Sequence, residues 1–284
     1  MIRAAAMIAA VLVAAPAALA QDGACGDLAP APRRVAESVL ASEYLWDCCD
    51  DTIERCLEAR TPSRLALLVA EDVCRRAAAG QDEVRIRRGL SRRARSMVGG
   101  GGAAEIDLAS APVFGPPEAP VTVVIYACAR CPYCSKLIPA LYEAVDRGPL
   151  RRDARLAFRV FPIRGHEGST EAGLGFGAAI ALDGFWPFML HAYRHFDDYA
   201  ANRQPEWAAA AGLDRDEFIA RLDDPATREA VVASKKEGLV NGVEETPTLF
   251  IDGRRWAGDL ELEELVSAVE EAAARARGEL CGSE

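Results

Sequence analysis

Up to residue 97 the apolar and polar positions follow a helical pattern. TPSRLALLVAEDVCRRAAAG, residues 61–80, predicts a helix with Thr61 as N-cap, Pro62 at the first helical position and Gly80 as the stop. QDEVRIRRGLSRRARSM, residues 81–97, predicts a second helix, with acids first and arginines later to suit the helix dipole. APRRVAESVLASEYLWDCCDDTIERCLEAR, residues 31–60, is mostly helical, with DCCDD as a candidate loop capping a shorter helix. VGGGGAAE, residues 98–105, interrupts the pattern as a flexible linker and is the clearest boundary in the chain. Beyond it, PVTVVIYAC reads as a buried strand, CPYCSKLIPALYEAVD as a helix and RLAFRVFPI as a second strand. A helical stretch runs from about Ser169 to Val240. TPTLFIDGRRWAG then carries an Asp252-Gly253 hairpin signal, and DLELEELVSAVEEAAARARG closes as a helix. The order predicts an α/β domain with an inserted helical subdomain, preceded by a small all-α domain over residues 21–97.

The first twenty residues change where this chain is expected to work. Arg3 precedes an apolar run from Ala4 to Val13, and Ala18-Leu19-Ala20 forms a small-x-small cleavage site. The run is short and alanine-rich for a membrane span, so a cleaved signal peptide is expected, with an uncleaved anchor as the alternative. The context of Cys25 implies no lipid attachment. Cleavage leaves a mature protein of about 264 residues beginning near Gln21, exported, periplasmic and soluble. With 43 Asp and Glu against 33 Lys and Arg, the charge balance argues against nucleic acid as a partner.

All nine cysteines lie in the exported part, and export with many cysteines normally means structural disulfides. An odd count leaves at least one thiol free, intermolecular or catalytic. A helical unit of about 75 residues is near the size where one core is marginal, so Cys25, Cys48, Cys49, Cys56 and Cys74 are candidate staples. Cys49 and Cys56 lie roughly 10 Å apart along a helix axis, too far to bridge within one straight helix. A hairpin turning at Thr61-Pro62 sets Cys74 opposite Cys48 or Cys49, and a structural bridge there is expected, with a dynamic redox pair as the sharper alternative. Cys281 is a candidate partner for Cys25 or for another chain.

The densest chemistry is CARCPYC, residues 128–134. A strand ending near Ala127 feeds a helix whose first turn holds Cys131, Pro132, Tyr133 and Cys134. Pro132 suits the first helical position, where an N–H has no partner. Cys131 sits at the helix N-terminus, where free N–H groups and the dipole favour a thiolate. Residues three apart on a helix have Cα atoms roughly 5–6 Å apart, inside the disulfide range. The pair can therefore close and reopen without moving the backbone, as thiol–disulfide exchange requires. Cys128, at the strand's end, reads first as a buried small residue. The rival readings are an auxiliary thiol able to trap Cys131 and a metal ligand in C-x-x-C-x-x-C. His191 and His195 have a chelating i, i+4 spacing, but they sit in the aromatic FWPFMLHAYRHF and read as structural, as do the aromatics around Trp186.

With these residues in place, CPYCSKLIPALYEAV resembles the active-site helix of thioredoxin-fold oxidoreductases, including a kinking proline at Pro139. GVEETPTLFIDGRRWAG resembles the loop in which a cis-proline, here Pro247, faces the cysteines ahead of a hairpin. FPIRGHEGSTEAGLGFGAAIALDGFWPFMLHAY is similar to the helical insertion of the DsbA-like branch of exported disulfide enzymes. The resemblance covers about residues 106–277. It implies Cys131 as nucleophile, Cys134 as resolving thiol, Pro247 as the client-contacting proline and Thr246 as a residue that tunes the pair, with Pro132 and Tyr133 at the client-binding rim. It also shows departures. Ile125 occupies the place of a buried acid that relays protons, and the dipeptide Pro-Tyr replaces the Pro-His of strong oxidants. LALLVAEDVCRRAAAGQDEVRIRRGLSRRARS loosely resembles the helical thiol domain of CcmH-like proteins over residues 45–97, with the vicinal Cys48-Cys49 in place of a C-x-x-C pair.

The expected function is a periplasmic disulfide oxidase acting on cysteines of client proteins, reset by a membrane or soluble redox partner. It needs no cofactor, and no metal is expected. A reductase or isomerase, including one serving cytochrome c maturation, is the alternative. A non-catalytic metal-binding or structural thioredoxin-fold protein is the competing class.

Overall fold

A computed structural model describes residues 25–282. The signal-peptide reading of residues 1–20 lies outside the described residues. Four helices come first: α1 (Pro30–Leu40), α2 (Ile53–Leu57), α3 (Arg64–Ala78) and α4 (Glu83–Val98). Then follow β1 (Val113–Phe114), β2 (Val121–Ala127), α5 (Pro132–Asp146) and β3 (Ala154–Val160). Five helices intervene: α6 (Ser169–Ala181), α7 (Phe185–Arg194), α8 (Gln204–Ala210), α9 (Arg215–Asp223) and α10 (Pro225–Val240). β4 (Thr248–Ile251), β5 (Arg254–Arg255) and α11 (Leu262–Ala276) complete the chain.

The five strands form one sheet in the order β1-β3-β2-β4-β5. β2 and β3 run parallel, while β1, β4 and β5 pair antiparallel to their neighbours. Apart from the half-buried Thr122, β2 is built of buried, largely apolar residues because both its faces are covered. Val121, Val123, Ile125 and Ala127 face the core shared with α5, α11 and the inserted helices, while Val124 and Tyr126 face Phe161 and Phe250 on the other side. On that second face α10 lies close. A Cβ at Gly238 would come within 2.7 Å of the Phe161 ring, so only glycine admits this approach. The insertion is tied to the sheet by Phe158 of β3, whose ring meets those of Phe176 and Phe185.

The first four helices pack on the end of α11 rather than standing apart. Ala274 and Leu280 belong to the same apolar core as Val39, Leu65, Val69 and Ile86. Between the two parts lies an ionic lattice that is buried except at Asp259. Arg76 pairs with Asp72 at 3.1 Å, Asp259 at 2.8 Å and Glu264, and Arg93 pairs with Glu271 at 3.1 Å. Trp46 donates its indole N–H to the same Glu271 at 2.9 Å. The glycine-rich segment is held at both ends: Arg254 donates to Gly99 O at 2.6 Å, and Ala104 N–H donates to Gly253 O at 2.8 Å.

Two local expectations are corrected. The third helix is capped by Ser63, not Thr61, because the Ser63 hydroxyl accepts the Ala66 N–H at 3.1 Å, so Pro62 lies ahead of the helix. The cysteine pairing also differs. Cys74 bridges Cys25, not Cys48 or Cys49. Residues 41–52 are not helical, so the neighbour of α3 is α1, and the C-terminal half of α3 meets the chain just ahead of α1. The same break lets Cys49, in the loop before α2, reach Cys56 across a 7-residue separation. Cys48 bridges Cys281 in the C-terminal tail, which removes the expected link from Cys281 to Cys25 or to a second chain.

Candidate active site

Strand register builds this site. Tyr126, next to last in β2, pairs with Thr248, the first residue of β4. The residues just after β2 and just before β4 are therefore neighbours, although more than a hundred positions separate them. The Thr246–Pro247 peptide is cis, and the Cys131 thiol donates to the Thr246 carbonyl oxygen at 3.2 Å. Between β2 and α5 the chain makes a turn closed by Cys131 N–H donating to Cys128 O at 3.1 Å. Cys131 then stands at the N-cap of α5 with extended backbone, and Pro132 takes the first helical position. Cys131 is 1% exposed and Cys134, one turn on, is fully buried, so both sulfurs lie beneath the surface.

Cys128, Cys131 and Cys134 are free thiols. Their environments push Cys131 and Cys134 in opposite directions. The Cys131 thiol is lowered to about 5, chiefly by a hydrogen bond from the Cys134 thiol. Burial works against this shift, while the Cys134 and Tyr133 backbone and the Thr246 side chain add to it. Cys134 is raised well above the ordinary thiol range, first by burial and then by the Cys131 sulfur beside it. One sulfur thus favours the thiolate, and the other holds its proton. Tyr133, 74% exposed, and the exposed Pro132 form the outer rim. Ile125 is fully buried in the core beneath, so no carboxyl occupies the place where the resemblance anticipates one.

Other candidates fall into place around this pair. Among the described residues, the group of His, Cys, Asp and Glu ligand atoms lying within 4.8 Å of one another is Asp47, Cys48 and Cys281, so the three sulfurs of C-x-x-C-x-x-C do not converge. The His191 and His195 rings lie 4.5 Å apart, tilted by 39°, and pack on Trp207 at 6.0 and 6.2 Å. Trp186 packs on Phe114, Tyr142 and Phe158. All six cysteines of the helical unit and tail are in bridges, and Cys48 and Cys49 bridge elsewhere rather than to each other.

Sequence reasoning missed three residues here. Arg130 stacks over Phe196 and Tyr199 at 4.4 and 4.5 Å and donates to Phe196 O at 2.5 Å, which ties the turn before Cys131 to the insertion. The buried Tyr193 hydroxyl donates to Cys128 O at 3.2 Å. His166 places Nδ1 3.4 Å from Cys128 Sγ. No spacing signal links His166 to the cysteines, because the contact joins two loops through the parallel pairing of β2 and β3.

A family model described as thioredoxin matches residues 108–271. Among solved structures, the oxidised BdbD of Bacillus subtilis is similar, with a TM-score of 0.53, 18% identity, and coverage of 60% of this chain and 97% of that one. The α-DsbA1 of Wolbachia pipientis gives a TM-score of 0.52 at 19% identity, covering 62% and 96%. Both establish the fold: a thioredoxin fold with a helical insertion. A curated relative, the Na(+)/H(+) antiporter NhaA 1 of Mycolicibacterium gilvum, is 30% identical over 161 residues, which is 56% of this chain. This match spans only 26% of the antiporter's length. Among the described residues, no helix is long and apolar enough to cross a membrane.

Proposed function

The chain belongs to the thioredoxin family, and from that premise we propose that it is an exported protein thiol–disulfide oxidoreductase working as a disulfide oxidase. One observation carries the reading: a helix-terminal Cys131 lowered to about 5 beside a buried Cys134 raised well above the thiol range.

In the oxidised enzyme a client thiolate attacks Cys131 Sγ, and Cys134 leaves with a proton. A second client thiolate then attacks the client sulfur of the mixed disulfide, and Cys131 leaves as a thiolate. The client gains a disulfide and the enzyme keeps two electrons, which a membrane or soluble redox partner removes. A leaving thiol with a low pKa departs faster, and a stabilised reduced form makes the disulfide more oxidising. The Thr246 carbonyl and Pro247 offer backbone docking beside Cys131, with Pro132 and Tyr133 as the client-facing rim. Export is supported by the signal-like pattern of residues 1–20 and by three disulfides in one chain.

A reductase or isomerase, cytochrome c maturation included, is the second reading, favoured by the Pro-Tyr dipeptide and by Thr246 before Pro247. The reduction potential of Cys131–Cys134, titrated against glutathione with thiol mapping, separates the two. A value on the order of −120 mV supports the oxidase, and one toward roughly −200 mV or below supports the reductase or isomerase. Insulin reduction retained by a Cys131→Ser variant overturns the nucleophile and revives the non-catalytic class.

A further inference from the structure

We infer that Cys128 is a second resolving thiol for Cys131, with His166 as the base that takes its proton. This rests on Cys131 being the nucleophile, and it adds to the site a second route out of the mixed disulfide, beside the one through Cys134.

A cysteine serving only as a small core residue lies among apolar atoms. Cys128 is fully buried at the edge of the apolar core, and its sulfur also meets a set of polar groups. The Arg130 N–H donates to it at 3.4 Å and His166 Nδ1 lies at 3.4 Å, with the Ile163 backbone and the Ser169 side chain also against it. Such donors serve a sulfur that carries negative charge during its working life. Burial is the leading influence on the thiol and holds it in the protonated form, so it needs a base at hand to react. His166 is half-buried and spans the distance from this sulfur to solvent. The first and fourth residues of a hydrogen-bonded turn have Cα atoms within about 7 Å, inside disulfide reach. The turn from Cys128 to Cys131 is of this kind. Rotation of the Cys128 side chain about its Cα–Cβ bond brings its sulfur toward Cys131.

The step balances within the protein and its client. Cys131 is first joined to the client by a mixed disulfide. The Cys128 proton passes to His166 Nδ1, unprotonated in the tautomer that accepts it, and the Cys128 sulfur attacks Cys131 Sγ. The Cys128–Cys131 bond forms as the Cys131–client bond breaks. The client sulfur leaves as a thiolate with the electron pair and takes up a proton from His166 or water. Where reduced Cys131 has attacked a client disulfide, Cys128 and Cys131 are together oxidised by two electrons and the client disulfide is reduced by two. Where a client thiolate has opened Cys131–Cys134, the client leaves as it came and the enzyme disulfide moves to Cys128–Cys131. No outside oxidant enters either way.

The test uses the whole mature chain, reduced and then exposed to oxidised glutathione, with peptide mapping of every disulfide. In Cys134→Ser, the glutathione adduct on Cys131 is expected to decay to a Cys128–Cys131 disulfide. In Cys128→Ser/Cys134→Ser it is expected to persist. His166→Gln in the Cys134→Ser background should lengthen the adduct's lifetime about 100-fold, as the loss of a positioned base does. Equal adduct lifetimes in the single and double variants, with no Cys128–Cys131 peptide, overturn the inference. The unmutated protein guards against a variant that fails to fold. At intermediate glutathione ratios a Cys128–Cys131 peptide should accompany the Cys131–Cys134 one, and its absence there also overturns the inference. If the unmutated protein forms neither an adduct nor a disulfide at Cys131, the proposed function fails instead.

Discussion

The nine cysteines divide between two regions that use the same atom in opposite ways. Around the start of α5 three thiols stay free within seven residues, placed by a helix terminus, a tight turn and a cis-proline loop. In the helical unit and tail all six are joined, across separations of 49, 233 and 7 residues. Local geometry suits Cys131 and Cys134 to exchange, because sulfurs one helical turn apart can close and open with the backbone still. The second group fastens distant segments, and its value lies in the freedom it removes from the unfolded chain. The difference teaches that cysteine spacing alone does not assign a role. What matters is whether the fold supplies donors to a sulfur or a partner sulfur.

The contrast can be broken at either end. Cys131→Ser should reduce thiol–disulfide exchange to the uncatalysed rate in an insulin assay, while urea unfolding stays cooperative. Arg76→Met should cost about 3–5 kcal/mol in urea denaturation, because Asp72, Asp259 and Glu264 lose their counter-charge in a buried lattice. A cost under about 1 kcal/mol would mean that this lattice does not hold the helical unit to α11. Paired replacement of Cys48 and Cys281 by serine should cost more than paired replacement of Cys49 and Cys56. The loop-entropy scale gives about 5 kcal/mol for a 233-residue separation and about 2 for a 7-residue one. Neither replacement should move the potential of Cys131–Cys134.

The smallest expected effect sharpens the reactive end. Cys131 alkylation should follow a midpoint near pH 5, and Cys134→Ala should move that midpoint up by removing the thiol that hydrogen-bonds the Cys131 sulfur. A folded value below the ordinary thiol value of 9 makes the thiolate a stabilising group. The reduced protein should therefore gain stability over Cys131→Ser as pH rises from about 5 toward 9, and lose it as pH falls through 5. A midpoint near 9, the ordinary thiol value, would remove the physical basis for the oxidase reading.

The placement of Cys131 and Cys134 at the start of α5 was legible in the chain because its determinants are local. Pro132 after Cys131, three-residue spacing and an apolar strand just before specify a sulfur at a helix N-terminus without reference to anything distant. The bridges were not legible, since each depends on which helices become neighbours. Reading residues 31–60 as mostly helical placed Cys74 against Cys48 or Cys49, whereas the loop at 41–52 sends it to Cys25. The Ser63 cap was missed for a smaller reason. Thr61 and Ser63 are both good caps, and the hydrogen bond to Ala66 N–H decides between them. His166 carried no signal, because a histidine 38 residues from Cys128 has no periodic relation to it.

By itself the sequence determined the element order around an apolar β2, the C-x-x-C helix terminus and the proline loop before β4, because these follow from periodicity, caps and turn chemistry within a few residues. Only the tertiary structure decided the rest: the β2–β4 register that carries Thr246 to Cys131, the opposite shifts of the Cys131 and Cys134 thiols, the partners of the six bridged cysteines and the place of His166 beside Cys128. Each of these is a meeting of segments far apart in the chain, set by how helices and strands bury their apolar faces together rather than by any spacing along it.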